Sequence, residues 1–166
     1  MFKFIRFGAP VLALIFSAAT LANEATSLVI SSKADYYDEK VIASNILNEC
    51  TNLGLKLSDS TLLNLEKQGF TVSTASDISD QAEGMSLKLT IVNAVSAGNA
   101  FLGHKKSVSV EAQLYKDGKL LDTFNRTRNS GGGFGAGFKG SCTVLHRCAN
   151  TLGKDVAGWM AKNHKG

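Results

Sequence analysis

From Ser107 to Arg128 the chain reads SVSVEAQLYKDGKLLDTFNRTR, and few arrangements accommodate that pattern. Val108, Val110, Ala112 and Leu114 alternate with Ser109, Glu111 and Gln113, so a period of two puts one apolar and one polar face on an extended strand. Asp117-Gly118 then supplies the positive backbone angles of a two-residue hairpin turn, and Leu120 to Arg128 returns as the partner strand. Leu87, Leu89 and Ile91, alternating with Lys88, Thr90 and Val92, repeat the period upstream. A strand with one polar face needs a cover on the other face only, so the sheet is antiparallel here and half-covered.

The preceding segment changes period. Ser27 to Ser31 predicts a short buried strand, and Phe70 to Thr74 another. Between them, Asp38 caps a predicted helix whose Val41, Ile42, Ile46, Leu47 and Cys50 share a face and which Gly54 ends. Ser58 or Asp59 opens a second helical stretch with Leu62, Leu63 and Leu65 inside, closed by Gly69. Asp77 to Gly84 predicts a polar loop, and Ser96 to Gly103 a second, small-residue loop able to swing out. Ser141 is the expected N-cap of a closing helix, along which Val144, Leu145, Cys148, Ala149, Leu152, Val156, Trp159 and Met160 recur at helical spacing. Gly153 and Gly158 within it are expected to allow close packing on the sheet. The order predicts an α+β fold: a single mixed, mostly antiparallel sheet with two or three helices packed on one face.

The first residues, MFKFIRFGAPVLALIFSAATLANEA, place a cationic start before an apolar run from Pro10 to Ala19 and a small-x-small site at Thr20-Leu-Ala22. That is the order of a secretory signal peptide, with cleavage expected after Ala22 and one domain over residues 23–166. The run is shorter than the roughly 20 residues of a spanning helix, so no transmembrane segment is expected after cleavage. The formal charge of +4 loses Lys3 and Arg6, and +4 − 2 = +2 gives no support for nucleic-acid binding. The expected location is periplasmic or secreted.

Export permits a disulfide among Cys50, Cys142 and Cys148. On one helix, Cys142 and Cys148 are separated by a rise of about 9 Å, beyond the roughly 7 Å a bridge tolerates. Cys50–Cys142 is therefore the favoured pair, with Cys148 a buried thiol. A later start of the helix leaves Cys142–Cys148 open instead.

The segments GNAFLGHKKS, LYKDGKLL, GFKGSCTVLHRC and LGKDVAGWM together resemble small exported bacterial domains of unknown function, similar to the TolB amino-terminal type of fold. The resemblance spans roughly Leu28 to Trp159. It implies a helix-backed mixed sheet and a periplasmic or envelope-associated protein, and it carries no catalytic signature. Many such relatives are lipoproteins. This chain lacks a cysteine near its cleavage site to bear the lipid.

The run SGGGFGAGFKGSC contains Gly135-x-Gly137-x-x-Gly140, a formal dinucleotide fingerprint. The strand before it belongs to a hairpin and no strand follows the helix after it, so the βαβ unit that cradles a pyrophosphate cannot form. No Gly-Lys-Ser/Thr tripeptide exists for a Walker site. Looser anion binding remains open at the helix start, with Lys139 beside it and Arg126, Arg128 and His104 nearby if hairpin and loop converge. The competing expectation is that Ser141 satisfies the helix end and the basic residues are solvated. A thiol nucleophile at Cys142 with His146 one turn on forms an enzymatic alternative. Cys148 faces away from His146, so no metal set is expected, and no cofactor is. His164 falls in the tail, and Asn125-Arg-Thr127 matches a glycosylation sequon by chance.

Phe101 on one small-residue loop, with Phe134 and Phe138 on the glycine run, form a candidate apolar contact surface. The reading that results is a non-enzymatic exported module of the bacterial envelope. It binds a protein or surface component through Asn99, Phe101, His104, Phe134, Phe138 and Lys139. The alternative is a small thiol-dependent or anion-binding enzyme using Cys142, His146 and Lys139.

Overall fold

A computed structural model describes residues 27–78, 83–99, 103–131 and 140–165. The expected signal peptide, residues 1–22, lies outside these residues. Among the described residues ten elements follow in chain order, six of them strands of one sheet: β1 (Ser27–Ser31), β2 (Asp35–Tyr36), β3 (Thr71–Ala75), β4 (Met85–Asn99), β5 (Gly103–Lys116) and β6 (Lys119–Gly131). The helices are a 3-10 turn over Glu39–Val41, α1 (Ser44–Glu49), α2 (Leu53–Lys67) and α3 (Ser141–Asn163). The sheet runs β3-β1-β4-β5-β6, and β2 also pairs with β4. β1 is parallel to β3 and β4, and β2 is parallel to β4, whereas β4, β5 and β6 are antiparallel. The expected α+β class with a mixed sheet is the one observed.

The hairpin forms as the alternation requires. Asp117 and Gly118 take φ of 50° and 74°, the positive pair that matches strand twist. Leu87, Leu89 and Ile91 of β4 and Val108, Val110, Ala112 and Leu114 of β5 are all buried. A bulge between Ile91 and Asn93 absorbs Val92, so Ala94 returns to the inner face and Val92 is left exposed. Against that face pack Leu53, Leu57 and Leu65 of α2 and Leu145, Ala149, Leu152, Val156 and Met160 of α3. Among the described residues no helix is long and apolar enough to cross a membrane.

Three expectations need correction. Asp38 does accept a hydrogen bond from the Lys40 N–H at 2.9 Å, but what it caps is the short 3-10 turn, after which Ile42 is extended and α1 starts afresh. Val41 is consequently exposed. Gly54 does not end a helix; it lies inside α2, where an added Cβ would meet the Ala34 carbonyl oxygen at 2.0 Å. Its bareness lets α2 approach the chain leaving β1. Further along α2, Leu63 points to solvent, while Leu57 and Leu65 carry the inner face.

The small-residue stretch Ser96–Gly103 also differs from expectation. β4 continues to Asn99 and β5 begins at Gly103, so most of the expected loop is paired strand. Ser96 to Asn99 pair across to Lys106 to Gly103, so cross-strand hydrogen bonding extends through this part of the hairpin.

Candidate functional site

The register of the meander decides where the candidate residues fall. Asn99 pairs with Gly103 and Gly98 with His104. Two residues further along β5, Lys105 pairs with Ala97 on one side and with Gly131 on the other. The end of the β4–β5 hairpin and the exit of β6 toward the glycine run therefore share one end of the sheet. Phe101, Phe134, Phe138 and Lys139 lie outside the described residues, but the strands that deliver them end on neighbouring rungs. Asn99 and His104 sit on those rungs.

Directly beneath this end, the Lys106 ammonium donates to Ser96 Oγ at 2.8 Å and to Ser141 Oγ at 2.9 Å. Lys106 is only 7% exposed, and among the described residues no carboxylate pairs with it. The two hydroxyls offset part of the desolvation of the charge. They also explain why Ser141 is not the cap: Gly140 occupies the N-cap position without a side-chain bond, and Ser141 is the first helical residue with its hydroxyl held by Lys106.

The arginines do not join this end. Arg128 grips Asp155 of α3 through Nε and Nη2, both at 2.6 Å, which raises the guanidinium pKa further through the hydrogen bonds and the paired charge. Arg126 lies over the Phe124 ring at 5.7 Å. Both are engaged in fixing β6, so the open alternative that Arg126 and Arg128 lie beside the start of α3 is not realised.

Cys142 is bonded to Cys50 with a Cα separation of 5.2 Å, and Cys148 remains as a buried thiol whose pKa burial pushes up. The favoured pairing is the observed one, and α3 starts early enough to rule out Cys142–Cys148. A sulfur held in a disulfide is not a thiolate, so the pair Cys142–His146 offers no nucleophile. His146 instead lines a groove of about 480 Å³ between α2 and α3, with Lys56, Asp59, Asn64, Lys67, Asn150 and Lys154. Its Nε2 is buried and has no hydrogen-bond partner among the described residues. Burial first, and the Lys56 ammonium second, hold the imidazole below the ordinary value of 6.5. No pattern along the chain points to this groove, because each helix contributes only half of it.

α2 and α3 lie close because Gly153 faces Ser60, where an added Cβ would come within 2.7 Å of the Thr61 nitrogen. Gly153 thus serves helix–helix packing rather than helix–sheet packing. Ser60 Oγ donates to the Asn150 carbonyl at 2.8 Å across the same contact.

No protein-family model matches this sequence, and no curated protein sequence matches it. Solved structures do. The PelC dodecamer from Paraburkholderia phytofirmans is similar with a TM-score of 0.54 at 16% identity, covering 82% of this chain and 88% of that one. Protein XCC0632 from Xanthomonas campestris, of family DUF330, gives 0.53 at 13% identity over 84% of this chain and 86% of its own. Lipoprotein GNA1162 from Neisseria meningitidis gives 0.49 at 12% identity, covering 80% and 99%. At such identities the likeness is one of fold, and it rests on the first two. It shows a fold shared with these bacterial proteins and does not single out the TolB amino-terminal type.

Proposed function

We propose that the protein is an exported, non-enzymatic module of the bacterial envelope that binds a protein or surface component at the open end of its sheet. The contact residues in this reading are Asn99, Phe101 and His104 from the β4–β5 turn, with Phe134, Phe138 and Lys139 from the glycine run. The observation that carries it is the register: Ala97, Lys105 and Gly131 share one rung, so two aromatic-bearing segments distant in sequence leave the sheet side by side. Binding residues gather on segments that a rigid scaffold positions, and the meander is such a scaffold. Export is supported by the order of the first 22 residues and by the Cys50–Cys142 bond, which persists in oxidising compartments. The fold likeness to PelC, a dodecamer, makes self-association part of the same question.

The test is a pull-down from envelope extract with the mature protein and with its Phe134→Ala/Phe138→Ala variant. The variant is expected to keep the parent's unfolding midpoint and to lose a specific partner that the parent recovers. Equal recovery of every partner by both proteins overturns the contact surface. Light scattering on the purified parent reports whether the recovered partner is a second copy of the chain.

A further inference from the structure

β6 closes one side of the sheet, and β5 is its one neighbour strand among the described residues. In such a strand alternate residues turn their N–H and C=O groups away from the sheet, so a row of backbone donors and acceptors stands open along its 13 residues. Thr123, Asn125, Arg126 and Thr127 in its middle are all exposed. What distinguishes this edge is the cleft beside it. Between β6 and α3 lies a space of about 290 Å³ lined by Phe124, Arg126, Asp155, Gly158, Trp159 and Lys162. Its aromatic part is the stacked pair Phe124 and Trp159, both partly exposed. Its α3 side is bare at Gly158, where an added Cβ would meet no described atom within 4 Å. Gly158 therefore does not bring the helix onto the sheet, as its place in the sequence suggests; it leaves room beside the aromatic pair.

The charge of the cleft is uncompensated. Asp155 is held by two bonds from Arg128, and Asp122 by His164. Arg126 lies over the Phe124 ring and Lys162 is exposed, and among the described residues neither meets a carboxylate. A concave surface lined by one sign of charge concentrates groups of the other sign. Extended peptides recognise a sheet edge through backbone hydrogen bonds, and pockets beside the strand select alternate side chains. A strand added to β6 turns every second side chain toward the face that carries α3. An apolar side chain there meets Phe124 and Trp159, and a neighbouring carboxylate meets Arg126 or Lys162. Like charges destabilise cross-strand pairing, so the same cations discriminate against a basic segment.

We propose that the β6 edge and the cleft beside it bind an extended acidic segment of a partner protein, which adds a strand to the sheet. This surface shares no residue with the contact region assigned to the sheet end.

Trp159 is the one tryptophan of the chain, so its fluorescence reports on the cleft directly. The mature, oxidised protein is titrated with two blocked peptides of one framework, acetyl-TVEVEVT-amide and acetyl-TVKVKVT-amide. The acidic peptide is expected to change Trp159 emission saturably and to slow hydrogen exchange at alternate β6 amides. The basic peptide binds roughly ten-fold more weakly or worse. Gly158→Leu fills the cleft where no described atom stands, so it keeps or raises the unfolding midpoint and weakens the acidic peptide by a similar factor. Arg126→Glu/Lys162→Glu reverses the order of the two peptides, which a merely structural role for these residues does not produce. Phe134→Ala/Phe138→Ala leaves the affinity unchanged, so failure here and failure of the sheet-end surface are read separately. Absence of saturation with the acidic peptide overturns the proposal. So do equal affinities for the two peptides, or a Gly158→Leu variant that binds as the parent does. Protection of β6 amides that rises with protein concentration alone, with dimers in sedimentation, assigns the edge to a second copy of the chain and overturns the acidic segment.

Discussion

β5 and β6 are neighbours of nearly equal length, paired over twelve rungs from Lys105–Gly131 to Lys116–Lys119, yet they are held in different ways. β5 buries Val108, Val110, Ala112 and Leu114, each at most 1% exposed, beneath the helices. β6 buries none of its side chains. It is fixed to α3 by discrete clasps instead. Phe124 stacks on Trp159 with ring centroids 5.4 Å apart, Arg128 grips Asp155, and Asp122 accepts from His164 at 2.9 Å. An inner strand can rely on continuous apolar packing. An edge strand that did so would expose a template for aggregation, and the charged residues of β6 avoid that outcome.

Both modes of attachment depend on α3 staying on the sheet, so the largest effect is expected from releasing its start. The Cys50–Cys142 bond spans a sequence separation of 92. In the chain-entropy account, removing a cross-link of that loop size costs about 4–5 kcal/mol. Cys50→Ser/Cys142→Ser should lose that much in a denaturant titration, with β5 and β6 becoming less protected together in hydrogen exchange. Loss of protection in β6 alone would show that β5 does not need the helix.

The next effect separates the strands. Leu114→Ala removes a fully buried side chain and is expected to cost about 2–5 kcal/mol. Leu121→Ala, on the half of the hairpin whose side chain is 53% exposed, should change stability by no more than about 0.5 kcal/mol. Equal losses in the same titration would break the comparison.

This asymmetry governs what could be read in advance. The period of two and the Asp117-Gly118 turn specify β5 and β6 locally, and the rise of one helix was enough to choose Cys50 over Cys148 for Cys142. Gly54 and Gly153 were misjudged because their role is contact with Ala34 and with Ser60, neither of which is near in sequence. Ser96–Gly103 looked like a loop because its residues are small, whereas its strand character comes from register imposed further down the hairpin. Leu63 fits the apolar period of α2 yet lines the outer groove. The same limit hid that groove: its lining is divided between α2 and α3, which are distant in sequence and meet where Gly153 faces Ser60. For Asn99 and His104, by contrast, the register of one hairpin decides the backbone neighbours.

The smallest expected effect concerns the acid limb of stability and belongs to β6 alone. Hydrogen bonding from His164 first, and from the Thr123 N–H second, holds the Asp122 carboxyl below its ordinary value of 3.8. A depressed native pKa means that the unfolded chain binds more protons as pH falls, so this contribution is fully present above 3.8 and is lost as pH drops through the native value. Trp159, edge-on to the His164 ring at 5.1 Å, links the pair to the aromatic stack on Phe124. Protonating Asp122 therefore loosens the last clasp of β6 and leaves the apolar face of β5 untouched. Urea titrations across pH 3 to 5 should show a shallower acid dependence for Asp122→Asn than for the parent. In the parent, hydrogen exchange near pH 3 should speed first at β6 amides around Asp122, while the β5 amides paired to β4 stay protected. Simultaneous loss in both strands would mean that the clasp and the core act as one cooperative unit.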